Sequence, residues 1–344
     1  MADAATAFDV SGLSAYVKQS NAIISKAVLF DAPSLKYFVP QPDVKYKEKI
    51  HFLGLTGATQ DGKGCTTEYN RTAALTDREI VTAIFEDKIK ICPDTLLGYW
   101  GEYLVRIPAD KRASGEIPFE AYLVDALIEA QADTIEYAIW QGDADTVSDP
   151  DLIDGIVTIL GAESGTIDVT ISAGTSMFAA VKQMIAALPA KLKKARKNLR
   201  VYLAPEHYEM LCFELVDANL FHYNMENGNP DSFLFPGTNV EVINALGLAD
   251  SDAAVATTAD NIYYGYDESN ANTRVAGGWN EEHGYAWLNV RHNAGVQVAF
   301  PDWAVLAAFS GDPVSPDANA ELAAIAASVA ELADEDHIFK TDAQ

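Results

Sequence analysis

Residues 32–44, APSLKYFVPQPDV, constrain the fold more than any other stretch of the chain. Proline has no backbone N–H and pushes the residue before it into extended geometry. Pro33, Pro40 and Pro42 therefore predict an extended segment that cannot join a helix. The segment carries Leu35, Tyr37, Phe38 and Val39, whose apolar surface has no partner nearby in sequence. Another surface has to cover them. Upstream, Leu13, Tyr16, Val17, Ser20, Ile23 and Ala27 fall near helical spacing and predict one short amphipathic helix. Residues 1–46 read as an arm.

Two strand-like pieces follow, 45–55 and 75–85, around a polar middle with Gly57, Asp61, Gly62, Lys63 and Gly64. That pattern predicts a long β-hairpin with an irregular tip. A two-stranded ribbon is barely stable alone, so it too should lean on something else. Pro118 then opens the clearest helix, 119–140, at a position where proline is tolerated. Phe119, Tyr122, Leu123, Ala126, Leu127, Ala130, Ile135, Ala138 and Ile139 form its apolar face, and Glu120, Asp125, Glu129, Asp133 and Glu136 are expected on the other.

After the break QGDADTVSDPDLIDG, residues 156–266 alternate strand and helix: TIDVTI, a helix at 176–188, LRVYLAP, a helix at 206–215, then NVEVI, AAVATT and NIYYGY. Such alternation predicts a mixed lobe. Beyond Arg274 the chain returns to β pattern in YAWLNVRHN and GVQVAF. Leu322, Ile325, Val329 and Leu332 predict a last helix at 315–334, which could dock on the body, on a partner or on another copy.

Charge is distributed unevenly. The formal net charge is -26, yet residues 1–112 hold 14 basic and 14 acidic side chains, so the whole excess lies beyond them. No Lys or Arg occurs from 113 to 181 or from 201 to 273. Between these deserts sits one basic knot: Lys182, Lys191, Lys193, Lys194, Arg196, Lys197 and Arg200. An acidic chain repels phosphates, which excludes a sequence-reading or phosphate-tracking role. The segregation suits a neutral front end lying on the acidic body of a neighbouring copy. A helix C-terminus also attracts cations, which accounts for part of the knot.

Chemistry-bearing motifs fail on their own terms. Gly57 to Lys63 satisfies seven positions of a phosphate-binding loop, but Gly64 stands where Ser or Thr must hold magnesium, and no helix follows. The acids Asp143, Asp145, Asp149, Asp151 and Asp154 miss the calcium-loop register, because Ile153 occupies the fifth position counted from Asp149. There is no HExxH or GxSxG; His283 follows Glu281 and Glu282, but no nucleophile accompanies them. Cys65, Cys92 and Cys212 are isolated thiols without metal or redox spacing. The sequence implies no cofactor and no metal. It has no run of roughly 20 apolar residues and begins without the pattern of a secretory signal.

The order of parts, with the phrases IEYAIWQGD, DLIDGIVTIL, LRVYLAPEHYEML, NIYYGYD and GYAWLNVRHNAGVQVAFPDWAVL, resembles the major capsid proteins of tailed bacteriophages. The resemblance implies an α+β chain with the tailed-phage capsid (Johnson) fold. Its parts would be an N-terminal arm at 1–46, an extended hairpin loop at 47–85, and a peripheral domain at 86–155 with a spine helix at 119–140. An axial domain at 156–271, a peripheral return at 272–312 and a helical tail at 313–344 would follow.

The implied function is structural rather than enzymatic: self-assembly through hexamers and pentamers into an icosahedral head that encloses DNA without reading it. The virion would be its final location and the host cytoplasm its place of assembly; portal, scaffold or decoration proteins would be partners, with no membrane. Contacts between copies would use Lys45, Lys47, Lys49, Lys63, Arg71, Arg78, Lys193, Lys194, Arg196 and Lys197 against acids such as Glu129, Asp133 and Glu136. Two features of some members do not carry over. Lys63 stands where an isopeptide lysine would, without an identifiable glutamate or asparagine partner, and the sequence reaches its arm at once, so the cleaved scaffolding segment of about a hundred residues that some members carry would be separate, already removed or absent. Encapsulin shells share the fold and are the alternative; a soluble oligomeric enzyme is a more distant one.

Overall fold

A computed structural model describes residues 32–56, 72–91, 119–145, 152–194, 198–218, 231–267, 274–280, 282 and 285–310. In chain order the elements are a 3-10 turn Pro33–Tyr37, then β1 Val39–Gln41, β2 Lys47–Thr56, β3 Thr72–Val81, β4 Ala83–Ile91 and α1 Phe119–Gln141. Next come α2 Ile156–Ala162, β5 Ile167–Ser172, α3 Met177–Ala187, α4 Ala190–Lys194, β6 Leu199–Leu203 and α5 Pro205–Asp217. The series ends with β7 Ser232–Leu234, β8 Val240–Asn244, β9 Ala253–Thr258, β10 Ile262–Tyr266, β11 Arg274–Asn280, β12 Tyr285–Val298 and β13 Val305–Ser310. The expected helices near the N-terminus and at 315–334, and the hairpin tip, lie outside the described residues.

The chain divides into two units. The first comprises 1–159 and 262–299. Its long strand β12 organises a five-stranded sheet, pairing antiparallel with β10, β11 and β4, while β1 adds to β10 in parallel. Helix α1 packs on this sheet through Leu127, Ile128, Ala132, Ile135, Ala138 and Ile139, which are all buried.

The front segment departs from its sequence expectation in two ways. Pro33 opens a 3-10 turn, because its fixed φ suits the first helical position as well as an extended chain. More important, Leu35, Tyr37, Phe38 and Val44 are buried within this same unit. Phe38 meets Trp140 edge to face at 5.7 Å, and β1 finds hydrogen-bond partners on β10. The apolar surface that had no partner in sequence finds one about a hundred residues away in its own fold.

The hairpin β2–β3 is a ribbon of ten paired positions, Lys47 opposite Val81 to Thr56 opposite Thr72. Its second strand ends at Val81, short of the expected residue 85, and after Thr82 the chain leaves β2 and pairs with β12 as β4. Thr82 makes the transfer: its N–H and hydroxyl both donate to the Tyr46 carbonyl, at 2.8 and 3.3 Å. Gly295 of β12 lets this crossing come close, since a Cβ there would stand 2.2 Å from the Val81 carbonyl oxygen.

The second unit comprises 160–261 and 300–344. Its six-stranded sheet runs β5-β13-β9-β6-β8-β7, with β5–β13 and β6–β8 parallel. Met177, Ala180, Val181 and Met184 of α3 and Tyr208, Leu211 and Leu215 of α5 share one apolar core with Val201, Val242, Ala256 and Val305 of the strands. The sequence boundaries 156–271 and 272–312 shift accordingly. NIYYGY belongs to the first unit, as β10 paired with β12, and β13 belongs to the second, between β5 and β9. Strand pairing between distant segments sets these borders, and local periodicity is blind to it.

Candidate assembly surface

The base of the hairpin is held by side chains from the sheet. Asn293, fully buried on β12, donates through Nδ2 to the carbonyls of Val44 and Lys45 at 2.8 and 3.2 Å. Val44, Ile50 and Ile80 are buried together, with Phe52 and Tyr263 meeting edge to face at 6.0 Å beside them. The ribbon therefore leaves the sheet in one fixed direction.

Along it, the lysines singled out from sequence are already engaged. Lys47 pairs with Glu79 at 2.7 Å and Lys49 with Asp77 at 2.5 Å, each diagonally across the ladder. The hydrogen bond and charge of each partner raise both lysine pKa values, and Lys49 likewise holds the Asp77 carboxyl below its usual range. All four groups remain at the surface, where such pairs contribute little. Lys45 is exposed and Arg78 half-buried; Lys63 and Arg71 lie outside the described residues.

On α1, Glu129 and Asp133 are exposed as expected. Glu136 is not: it is 2% exposed and faces inward. Its carboxylate accepts the Ser34 N–H at 3.1 Å and the Ser34 hydroxyl, and Trp140 Nε1 donates both to Ser34 Oγ at 2.9 Å and to Glu136 at 3.3 Å. This trio fastens the front segment to α1, so Glu136 serves inside the subunit. Helical spacing carried the signal, because Glu136 shares a stripe with Ile128, Ala132, Ile139 and Trp140.

The basic knot is partly spoken for. Lys193 Nζ donates to the Ala186 carbonyl at 2.8 Å, closing the end of α3, and Arg200 pairs with Glu241 at 3.0 Å. Lys194 ends α4, and Arg196 and Lys197 lie outside the described residues. The second unit shows apolar residues instead: Phe213 and Val216, three apart on α5, are 66% and 48% exposed, and Leu234 and Leu246 are exposed as well.

Of the rejected chemical motifs, residues 57–64, Cys65, Cys92, Asp149, Asp151, Glu281 and His283 lie outside the described residues. No group of three metal-ligating side chains occurs among the described residues. Asp154 accepts the Ala144 N–H and Asp143 that of Asp145, which makes them turn-formers. Burial pushes the Cys212 thiol pKa up, the wrong direction for a nucleophile. No described helix is long and apolar enough to cross a membrane.

No protein family matches this sequence, and no curated protein does. Solved structures match it by shape. A chain from the satellite phage P4 procapsid, solved with its size determination (Sid) protein, superposes with a TM-score of 0.57 at 15% identity, over 85% of this chain and 91% of the other. A chain from the capsid of the empty GTA particle gives 0.56 at 14% identity, over 81% and 90%. One from Gordonia phage Cozz gives 0.55 at 12% identity, over 82% and 87%. The chain has the mixed α and β fold of phage capsid proteins, shared along most of its length.

Proposed function

We propose that this chain is a shell-forming subunit, the major capsid protein of a tailed-phage type of particle, with a structural rather than an enzymatic task. The observation that carries the proposal is the fold, shared over 81–85% of the chain with three proteins from phage and GTA particles. Two features of the subunit support it. The ribbon β2–β3 is braced at its base and extends as a bare two-stranded hairpin, a shape that gains stability when it lies on a second copy. The exposed Phe213, Val216, Leu234 and Leu246 give the second unit apolar surface to bury around a symmetry axis.

In this reading residues 1–46 form the arm and the loop runs from 47 to 81. The first unit is the peripheral domain, with α1 as its spine, and the second is the axial domain. Lys45, Lys63, Arg71 and Arg78 on the reaching parts meet Glu129 and Asp133 on a neighbour's spine. The shell encloses DNA by confinement, as befits a chain of net charge -26, and portal, scaffold or decoration proteins complete a particle built in the host cytoplasm. Negative-stain microscopy and sedimentation of the purified chain test this: closed particles of uniform diameter are expected. A chain that stays monomeric or dimeric at high concentration refutes it. Nucleic acid that survives nuclease treatment within particles made during infection separates a genome-holding head from a cargo compartment.

A further inference from the structure

The sheet-facing side of α1 holds a second polar group besides Glu136. Gln131 is 1% exposed, and neither its Nε2 nor its Oε1 meets a hydrogen-bond partner among the described residues. His292, equally buried on β12, stacks on its cross-strand partner Phe85 at 5.2 Å, and neither ring nitrogen is bonded among the described residues. Both side chains line one cleft of about 340 Å³ in the first unit, together with Asp87, Thr134 and Leu152. The large majority of buried polar groups in native proteins are hydrogen-bonded, because an orphan forfeits its bonds to water and gains nothing in return. Two orphans facing one cleft ask for a visitor.

Their chemistry narrows what that visitor is. Gln131 offers one acceptor and two N–H donors. Burial pushes the His292 pKa down to about 4, so at neutral pH the ring is uncharged, with one acceptor and one donor. Thr134 donates its hydroxyl to the Ala130 carbonyl and keeps a lone pair, and Asp87 is a half-buried carboxylate without an ion pair among the described residues. Acceptors prevail, and Asp87 is the carboxylate left to meet a cation, because Glu86 is paired with Lys88 at 3.1 Å and takes a hydrogen bond from Asn289 at 2.9 Å. An anion would be repelled, and a hydrocarbon would leave both amide ends unpaired. A guanidinium, with five N–H donors and a planar face, fits the acceptors, and a peptide carbonyl beside it takes the remaining Gln131 and His292 protons.

We propose that this cleft receives an arginine side chain, with its flanking peptide group, from a second copy of the chain. The inference rests on the shell-subunit reading, which brings one copy's front end, with the arginines Arg71, Arg78, Arg106 and Arg112, onto the body of another. The test places a photo-crosslinking p-benzoylphenylalanine at Leu152, which lines the cleft and is 40% exposed. Irradiated particles are expected to show links between copies, mapped by mass spectrometry to a peptide with arginine at or beside the attachment point.

Gln131→Leu supplies a second readout. Assembled particles should dissociate at lower denaturant than wild type, while the unassembled subunit melts no lower, because an orphan amide has been replaced by a hydrocarbon. Links confined to a single chain, links to another protein, or particles that Gln131→Leu stabilises as much as the subunit would each overturn the proposal and leave the shell reading standing. Failure of the wild-type chain to form any particle removes both.

Discussion

The two units are held together by different means. The second is built on one apolar cluster, in which α3 and α5 meet the strands through Met177, Met184, Leu211, Val242 and Val305, all essentially dry. Its most conspicuous buried carboxylate, Glu214, does a local job: it accepts the Met177 and Phe178 N–H groups at 2.8 and 2.7 Å and caps α3, with Ser176 taking the Ala179 N–H. The first unit instead joins segments that are far apart in sequence by polar contacts. Ser34 and Glu136 are 102 residues apart, and Asn293 and Val44 are 249 apart. Apolar burial makes a lobe stable but is indifferent to small slips. Directional bonds fix how the front segment and the ribbon join the rest of the first unit.

The sharpest way to break the contrast is at Gly295. Ala there would drive its Cβ to within 2.2 Å of the Val81 carbonyl, so either the β3–β4 crossing or β12 must move. We expect Gly295→Ala to destabilise by about 3 kcal/mol or to abolish folding of the first unit. Gly161, whose added Cβ meets nothing within 4 Å in helix α2, should accept Ala with a gain of up to about 1 kcal/mol. Urea unfolding of both variants measures the difference.

Next in size come the two buried carboxylates. Glu136→Ala orphans the Ser34 N–H and hydroxyl and should lower stability by about 2–3 kcal/mol. It should also expose the bond after Lys36 to trypsin under native conditions. Glu214→Ala removes a cap of comparable strength, about 2 kcal/mol, yet should leave Lys36 protected, because its effect stays within its own unit. Equal protection of Lys36 in both variants would dissolve the distinction between the two carboxylates.

His292 gives the first unit a pH response. Its folded pKa, about 4, lies below the ordinary 6.5, so the unfolded chain binds the proton more tightly. The stabilisation is complete above pH 6.5 and is lost as pH falls from 6.5 towards 4, amounting to about 2 kcal/mol by pH 5. Asp87 and Glu86 of β4 line this cleft, Glu86 paired with Lys88 at 3.1 Å and opposite Arg291 of β12, while Glu129 and Asp133 of α1 are exposed. Thermal melts should show wild type losing stability towards acid pH relative to His292→Phe, and parallel curves would rule the response out.

What the residues announced and what they concealed follow the same division. Helix 119–140 was legible because apolar residues recurred at three- and four-residue spacing from Phe119 to Ala130 and again from Ile135 to Ile139, and the hairpin because a turn-rich stretch separated two β-rich runs. The crossing at Thr82 was hidden inside the continuous pattern REIVTAIFEDKIKI, and only pairing with β12 ends one strand and starts the next. Glu136 was misread because an acid amid a helix defaults to solvent, and its partner Ser34 lay beyond any local window. The proposed cleft was invisible for the same reason: Gln131, Asp87 and His292 are neighbours only in the fold.

The smallest effect tests the reading of the ribbon. Lys47 and Lys49 form exposed cross-strand pairs with Glu79 and Asp77, and such pairs contribute little in water and less in salt. Lys47→Ala and Lys49→Ala should leave the urea midpoint of the isolated subunit unchanged within error. Lys45 is exposed and lies where the ribbon begins. If the ribbon lies on a neighbour's acidic surface, Lys45→Glu should slow assembly more than either alanine change and shift its salt dependence, with the subunit's own stability intact. Assembly rates followed by light scattering across ionic strength decide the matter. Equal behaviour of all three variants would mean that the ribbon's charges serve only the ribbon, and that apolar contacts carry the join between copies.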